Sequence, residues 1–251
     1  MDIIHTQGVV LRSTNIKESD RMLTIFSPEL GKLSVLSRGC RKPKSRLLSM
    51  SQLFCYGDLI LQPYRDILIL QEAEVKNAYF DIRKDLERLS YATYILNLTE
   101  DIINTGEGNL PVFTLLLHGL TYLSYSDMKA EDITLVYELK LLDMIGYRPE
   151  VDCCMICGVK PVNNIRFSSA NGGILCERCQ DNGISGSIIH METLQAMRYV
   201  LDIDMSQIKL LKFLPEVREQ LNKILPEYIE QKLDKKFKSR DFLNSFFTPI
   251  P

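Results

Sequence analysis

The chain has 251 residues, 45% of them hydrophobic and 25% charged, with a net charge of −2. Those are ordinary globular values that exclude wholesale disorder, and at roughly 100–200 residues per domain the length predicts one large domain or two to three small ones. No basic and apolar leader opens the sequence and no run of about 18 apolar residues follows, so a cytoplasmic protein without a membrane segment is expected.

Residues 1–80 carry short apolar runs at 8–11, 22–26, 33–36, 53–61 and 67–75, separated by turn residues such as Pro28 and Gly31 or Pro63-Tyr64-Arg65-Asp66. Pro pre-sets φ and Gly accepts positive φ, so these are breaks between strands. Five short strands suit a five-stranded Greek-key barrel of the OB type, a platform for single-stranded nucleic acid, and fit other small barrels too. Positive charge is segregated in the same region: Lys32, Arg38, Arg41, Lys42, Lys44 and Arg46 follow one another with no Asp or Glu between them. The part around Gly39 and Pro43 reads as an exposed loop able to cradle phosphates, with Phe26, Phe54, Tyr56 and Tyr64 available for stacking. For any one of these aromatics, burial in the core is the competing role.

After Tyr79 the apolar period lengthens. Ile82, Leu86, Leu89, Ile95, Leu96 and Ile102 predict an amphipathic helix, Pro111 opens a second, and a third runs over about 131–145 to Gly146. Helical spacing resumes at Leu194, Met197 and Leu201, and again over about 215–247, where Pro226 is expected to kink or divide the helix. There Lys232, Lys235, Lys236, Lys238 and Arg240 lie beside Phe237, Phe242, Phe246 and Phe247, read by default as a charged helix face over an apolar one.

Between these helices stand Cys154-Met155-Ile156-Cys157-Gly158 and Cys176-Glu177-Arg178-Cys179. Two residues between thiolates let one tight turn offer both sulfurs to a tetrahedral ion, so Cys154, Cys157, Cys176 and Cys179 predict one zinc ion. Cys153 can stand in for Cys154, although the two-residue spacing is preferred. Phe167 and Gly172-Gly173 predict a hairpin between the knuckles. Four protein ligands close such a site, which makes it structural, and Cys55 reads as a small buried hydrophobe.

Catalytic signals are missing. His5, His118 and His190 are scattered, no GxxxxGK[ST] loop occurs, and His190-Met191-Glu192 follows both knuckles, the wrong order for a zinc deaminase. No catalytic residue is assigned and no enzyme is expected. A sequence-specific zinc-containing DNA-binding regulator and a metal-dependent hydrolase are the competing classes.

Gly8-Val9-Val10-Leu11, Glu18-Ser19-Asp20-Arg21, Phe26, Gly31, the segment from Ser37 to Arg46, and Gly146-Tyr147-Arg148-Pro149 leading into the first knuckle occur in an order that resembles the RecO family of bacterial DNA repair proteins. The resemblance covers essentially the whole chain. It implies an α+β multidomain protein: an OB-fold domain over 1–80, an α-helical bundle over 81–149 and 183–251, and an inserted four-cysteine zinc module over 150–182. It also implies a recombination mediator of the RecF pathway, working near the nucleoid, that binds single- and double-stranded DNA and anneals complementary strands. RecR and the C-terminal tail of single-stranded DNA-binding protein are the implied partners, with RecA loaded onto coated strands. By position Arg38, Arg41, Lys42, Lys44 and Arg46, with Lys32 before them, become the DNA contacts. The partner-binding residues stay unassigned.

Overall fold

The five apolar runs of the first eighty residues become β1 (Ile4–Asn15), β2 (Arg21–Ser27), β3 (Gly31–Ser37), β4 (Tyr56–Tyr64) and β5 (Ile67–Asn77) in a computed structural model that describes residues 2–180 and 185–247. They close into a barrel in the order β1-β2-β3-β5-β4, β3 and β5 pairing in parallel and the other neighbours antiparallel. This is the OB-type barrel expected. Alternate residues point inward, so Val10, Leu23, Ile25, Leu33, Val35, Leu59, Leu61 and Leu70 form its core.

The expected strand at 53–61 begins only at Tyr56. Leu53, Phe54 and Cys55 belong instead to a long turn-rich connection from β3 that plugs the barrel with Met50 and Cys55, both fully buried. Phe54 has φ 69°, which no strand accommodates. An apolar run was visible there, but its residues fill the core as a plug.

A 3-10 turn (Phe80–Lys84) precedes α1 (Leu86–Ile102), so the helix expected from Ile82 starts later. Asp85 caps it by accepting from the Glu87 and Arg88 N–H groups at 2.8 and 3.1 Å. α2 (Leu110–Tyr125) follows with Pro111 in its first turn. The α1–α2 connection is bound to the barrel: Lys32 N donates to Asn104 O at 2.9 Å and Gly106 N to Leu30 O at 3.0 Å. Gly31, at φ +69°, makes this approach possible, because a Cβ there would sit 2.2 Å from Asn104 O and 2.5 Å from Glu107 O. Gly31→Ala is therefore expected to lower stability by about 2 kcal/mol or more in urea unfolding of the full chain; an unchanged midpoint would show that the connection shifts freely.

The chain divides into two compact units, Met1–Tyr125 and Ser126–Pro251. The second contains α3 (Ala130–Met144), β6 (Ile165–Ser168), β7 (Gly173–Leu175), the short α4 (Glu177–Gln180), β8 (Ser187–Ile189), α5 (Met191–Asp202), α6 (Pro215–Leu233) and α7 (Lys238–Phe247). The expected hairpin is β6–β7, and β8 adds a third strand to give the order β7-β6-β8. Pro226 does not divide the last helix. α6 runs through it, because burial of Ile224, Leu225, Tyr228 and Ile229 offsets the hydrogen bond that proline cannot donate, and the break falls at Asp234 with φ 49°. Of the C-terminal cluster, Phe237 and Arg240 are buried and Phe242 is exposed. The Phe246 and Phe247 side chains lie outside the described residues. Among the described residues no helix is long and apolar enough to cross a membrane.

Candidate metal centre and nucleic-acid interface

The first knuckle is a tight turn tied to the β6–β7 hairpin. Gly158 N donates to Cys154 O and Cys154 N to Val159 O, both at 2.9 Å, and Gly158 takes φ +70°. Met155 N donates to Ile174 O at 2.9 Å while Glu150 N and Gly172 O bond at 2.9 Å, so the hairpin holds the knuckle on both sides. The second knuckle follows β7 directly, with Cys179 on the single turn of α4.

This arrangement gathers the sulfurs of Cys154, Cys157, Cys176 and Cys179 within 4.8 Å of one another. Four sulfurs about 2.3 Å from one tetrahedral ion stand roughly 3.8 Å apart, and the Cys157 and Cys176 sulfurs are 3.6 Å apart. The donor set thus fits a metal ion by size. It fits by charge too: burial raises the Cys154 thiol, yet the N–H groups of Cys176, Cys157 and Ile156 outweigh it and bring it down to about 6. Cys179 is pushed up to about 12, first by the Cys157 side chain and then by burial. One thiolate is welcome and the next is not, so four together need a cation. Cys153 is outside the cluster. Its N–H donates to Glu150 Oε1 at 3.1 Å, and partial burial followed by the Glu150 charge raises its thiol.

In the first unit, Arg38, Arg41, Lys42, Lys44 and Arg46 are all exposed on the turns after β3. The segment is not slack. Gly39 N donates to Asp20 Oδ1 at 2.8 Å, which holds the Asp20 carboxyl below its ordinary value, and Arg41 N and Nη1 donate to Ser19 O and Lys17 O at 3.0 Å. Asp20 therefore anchors the basic segment, a role that only a contact distant in sequence reveals. Lys32 is not among these cations. It stands at the opposite end of β3, roughly 20 Å along the strand, in a cleft of ≈ 390 Å³ with Arg65, Asp66 and Ser34.

The four candidate stacking aromatics separate clearly. Phe26 and Phe54 are core residues, and Tyr56 donates its hydroxyl to Gln7 and meets Phe113 edge-on at 5.9 Å. Tyr64 alone is exposed, at 43%, with the guanidinium carbons of Arg38 and Arg65 at 5.4 and 5.5 Å from its ring centre. Such exposed cation–π contacts contribute about 0.5–1 kcal/mol each. Arg65 was not singled out in the sequence because it lies outside the acid-free run. A larger concavity of ≈ 650 Å³ on the barrel is lined by Glu29, Asp58, Glu72 and Glu74, a composition that repels phosphate.

Comparisons with known proteins agree along most of the chain. Residues 1–79 match the family described as Recombination protein O N terminal, and residues 83–241 match Recombination protein O C terminal. The chain is similar to the DNA repair protein RecO of Alkaliphilus metalliredigens, 36% identical over 93% of this chain and 95% of that protein. It is likewise 32% identical to RecO of Acetivibrio thermocellus and 29% to RecO of Symbiobacterium thermophilum, each over 98% of both chains.

Proposed function

The chain belongs to the RecO family of DNA repair proteins, and from that membership we propose that it is a non-enzymatic recombination mediator binding single- and double-stranded DNA through the basic end of its barrel. Annealing of complementary strands and loading of RecA onto strands coated by single-stranded DNA-binding protein complete the proposed role. Annealing forms no covalent bond; it needs a cationic surface that offsets strand repulsion and releases the duplex. The observation that carries the reading is the row Arg38, Arg41, Lys42, Lys44 and Arg46, exposed together on an OB-type barrel and anchored from below by Asp20.

The assignment by segment is barrel (1–80) for DNA, helices (81–149 and 183–251) for docking RecR and the tail of single-stranded DNA-binding protein, and 150–182 for the metal. Working in the cytoplasm at the nucleoid follows from this role. The proposed ion is Zn²⁺, held by Cys154, Cys157, Cys176 and Cys179. Bound there it would supply structural cross-linking, because four thiolates leave no open position. Cys153 stays outside the ligand set.

Fluorescence anisotropy with unrelated oligonucleotides tests the DNA reading. Affinities are expected to be similar across sequences and to fall steeply with salt. Replacing Arg41, Lys42 and Lys44 by Ala should reduce the salt slope on single strands by about 2, since each phosphate contact accounts for roughly 0.7. An unchanged slope removes the segment from the interface, and a preference of about 10³-fold for one duplex would favour a regulator instead.

A further inference from the structure

Phosphate binding alone does not account for the β4–β5 turn. Asp66 lines the cleft with Lys32, Ser34 and Arg65. In a cradle for phosphate alone, a carboxylate repels the ligand. Beside a nucleobase it has a partner, because exocyclic amino groups donate to carboxylates. In a duplex such amino groups are reached only through a groove, whereas a base that also stacks on an aromatic ring must come from an unpaired strand. Adjacent to the cleft, Tyr64 is the one exposed aromatic of the barrel's candidate set, and Arg65 contributes to both features. Stacking of a base on an aromatic ring is stronger than an exposed cation–π contact, so a base can displace a guanidinium from Tyr64. The freed guanidinium keeps its donors for the neighbouring phosphate.

We propose that this cleft is a subsite selective for single-stranded DNA: Tyr64 stacks an unpaired base, Asp66 accepts from its amino edge, and Lys32 and Arg65 take the flanking phosphates. The Arg38–Arg46 row then contacts phosphates of single and double strands alike. This division of labour deepens the DNA-binding reading and rests on it.

The test uses the full chain with a cytosine oligonucleotide carrying one 2-aminopurine, and with a duplex of equal length. Tyr64→Ala should weaken the single strand by about tenfold and abolish quenching of the 2-aminopurine, while duplex affinity stays within about twofold. Tyr64→Phe should keep both. Equal loss on the two substrates, or an unaltered single-strand affinity, overturns the subsite. If the Arg41, Lys42 and Lys44 replacement weakens both substrates while Tyr64→Ala weakens neither, the subsite falls and the DNA reading stands. If the unaltered protein binds neither, both fall.

Discussion

Cys176→Ser, or removal of the proposed zinc by a chelator, is expected to unravel residues 150–180 while the barrel stays folded. Structural zinc contributes on the order of 10 kcal/mol to the folding of a small module. The strands β6, β7 and β8 are only four, three and three residues long, and the buried cluster that joins the two knuckles is Cys154, Leu175, Cys176 and Cys179, whereas the far side of the hairpin is held by Phe167, edge-on to Tyr228 of α6 at 5.4 Å. Without the ion the sulfurs become the problem, since buried thiols replace metal bonds. Hydrogen exchange checks this directly, with protection of Met155, Ile174 and Cys179 amides collapsing to that of open chain while β1–β5 amides keep theirs. Metal content should fall from one equivalent to none in the same sample. Retained protection in the apo protein would mean that the hairpin, and not the ion, holds the clasp. Loss of DNA binding with both units intact would mean that the clasp belongs to the interface.

The second large effect is expected at Asp132. Its carboxylate, 3% exposed, takes a two-point bond from Arg218, Nε to Oδ1 at 2.7 Å and Nη2 to Oδ2 at 3.2 Å. Arg218 also reaches Glu131 at 3.3 Å and donates to Phe213 O at 3.0 Å, so α3 and α6 meet through charged groups in a poorly hydrated place. Removing Asp132 leaves Arg218 with only the longer Glu131 contact and the Phe213 carbonyl, and Asp132→Ala should lower the stability of the second unit by about 3 kcal/mol. Replacing both, as Asp132→Leu with Arg218→Met, should recover part of that loss: the apolar pair needs no compensation, and Glu131 loses Arg218 but keeps its bond from Asn222. Urea unfolding followed by a probe in α5 separates the outcomes. A single Ala variant as stable as the parent would show that water reaches Arg218 when the carboxylate is gone.

The parts of this molecule that were legible in its sequence are those encoded by near neighbours. The strands declared themselves through short apolar runs bounded by turn residues, and the cysteine knuckles through a spacing that one turn must satisfy. Cys55 was readable as a core residue from its apolar setting and is one. Apolarity misled at Leu53-Phe54-Cys55, where a plug and a strand share the same composition. Pro226 does not divide its helix because its local penalty is set against a burial that only the folded unit supplies. Contacts between distant residues were silent: Asp20 with Gly39, Arg218 with Asp132, and the cleft that joins Lys32 to Arg65. Each pairs residues whose separate roles on the chain are ordinary. The cations of the basic row were therefore visible, and the carboxylate that anchors them was not.

Barrel closure also sets a timetable. β1 must find β4 across the whole of β2 and β3, and β3 pairs with β5 only after the plug has turned the chain around. Pairings of such long sequence separation are slow to form compared with helix contacts between neighbours. The Met50 and Cys55 plug reaches its place only when that closure is complete, whereas the Asp20–Gly39 anchor sits at the end of the β2–β3 hairpin, beside the Arg21–Ser37 pair. A chain with only the β2–β3 hairpin formed thus has the start of the DNA row in place, at Gly39 and Arg41, before the core beneath it is filled. The cationic surface can therefore begin to assemble ahead of the barrel that carries it.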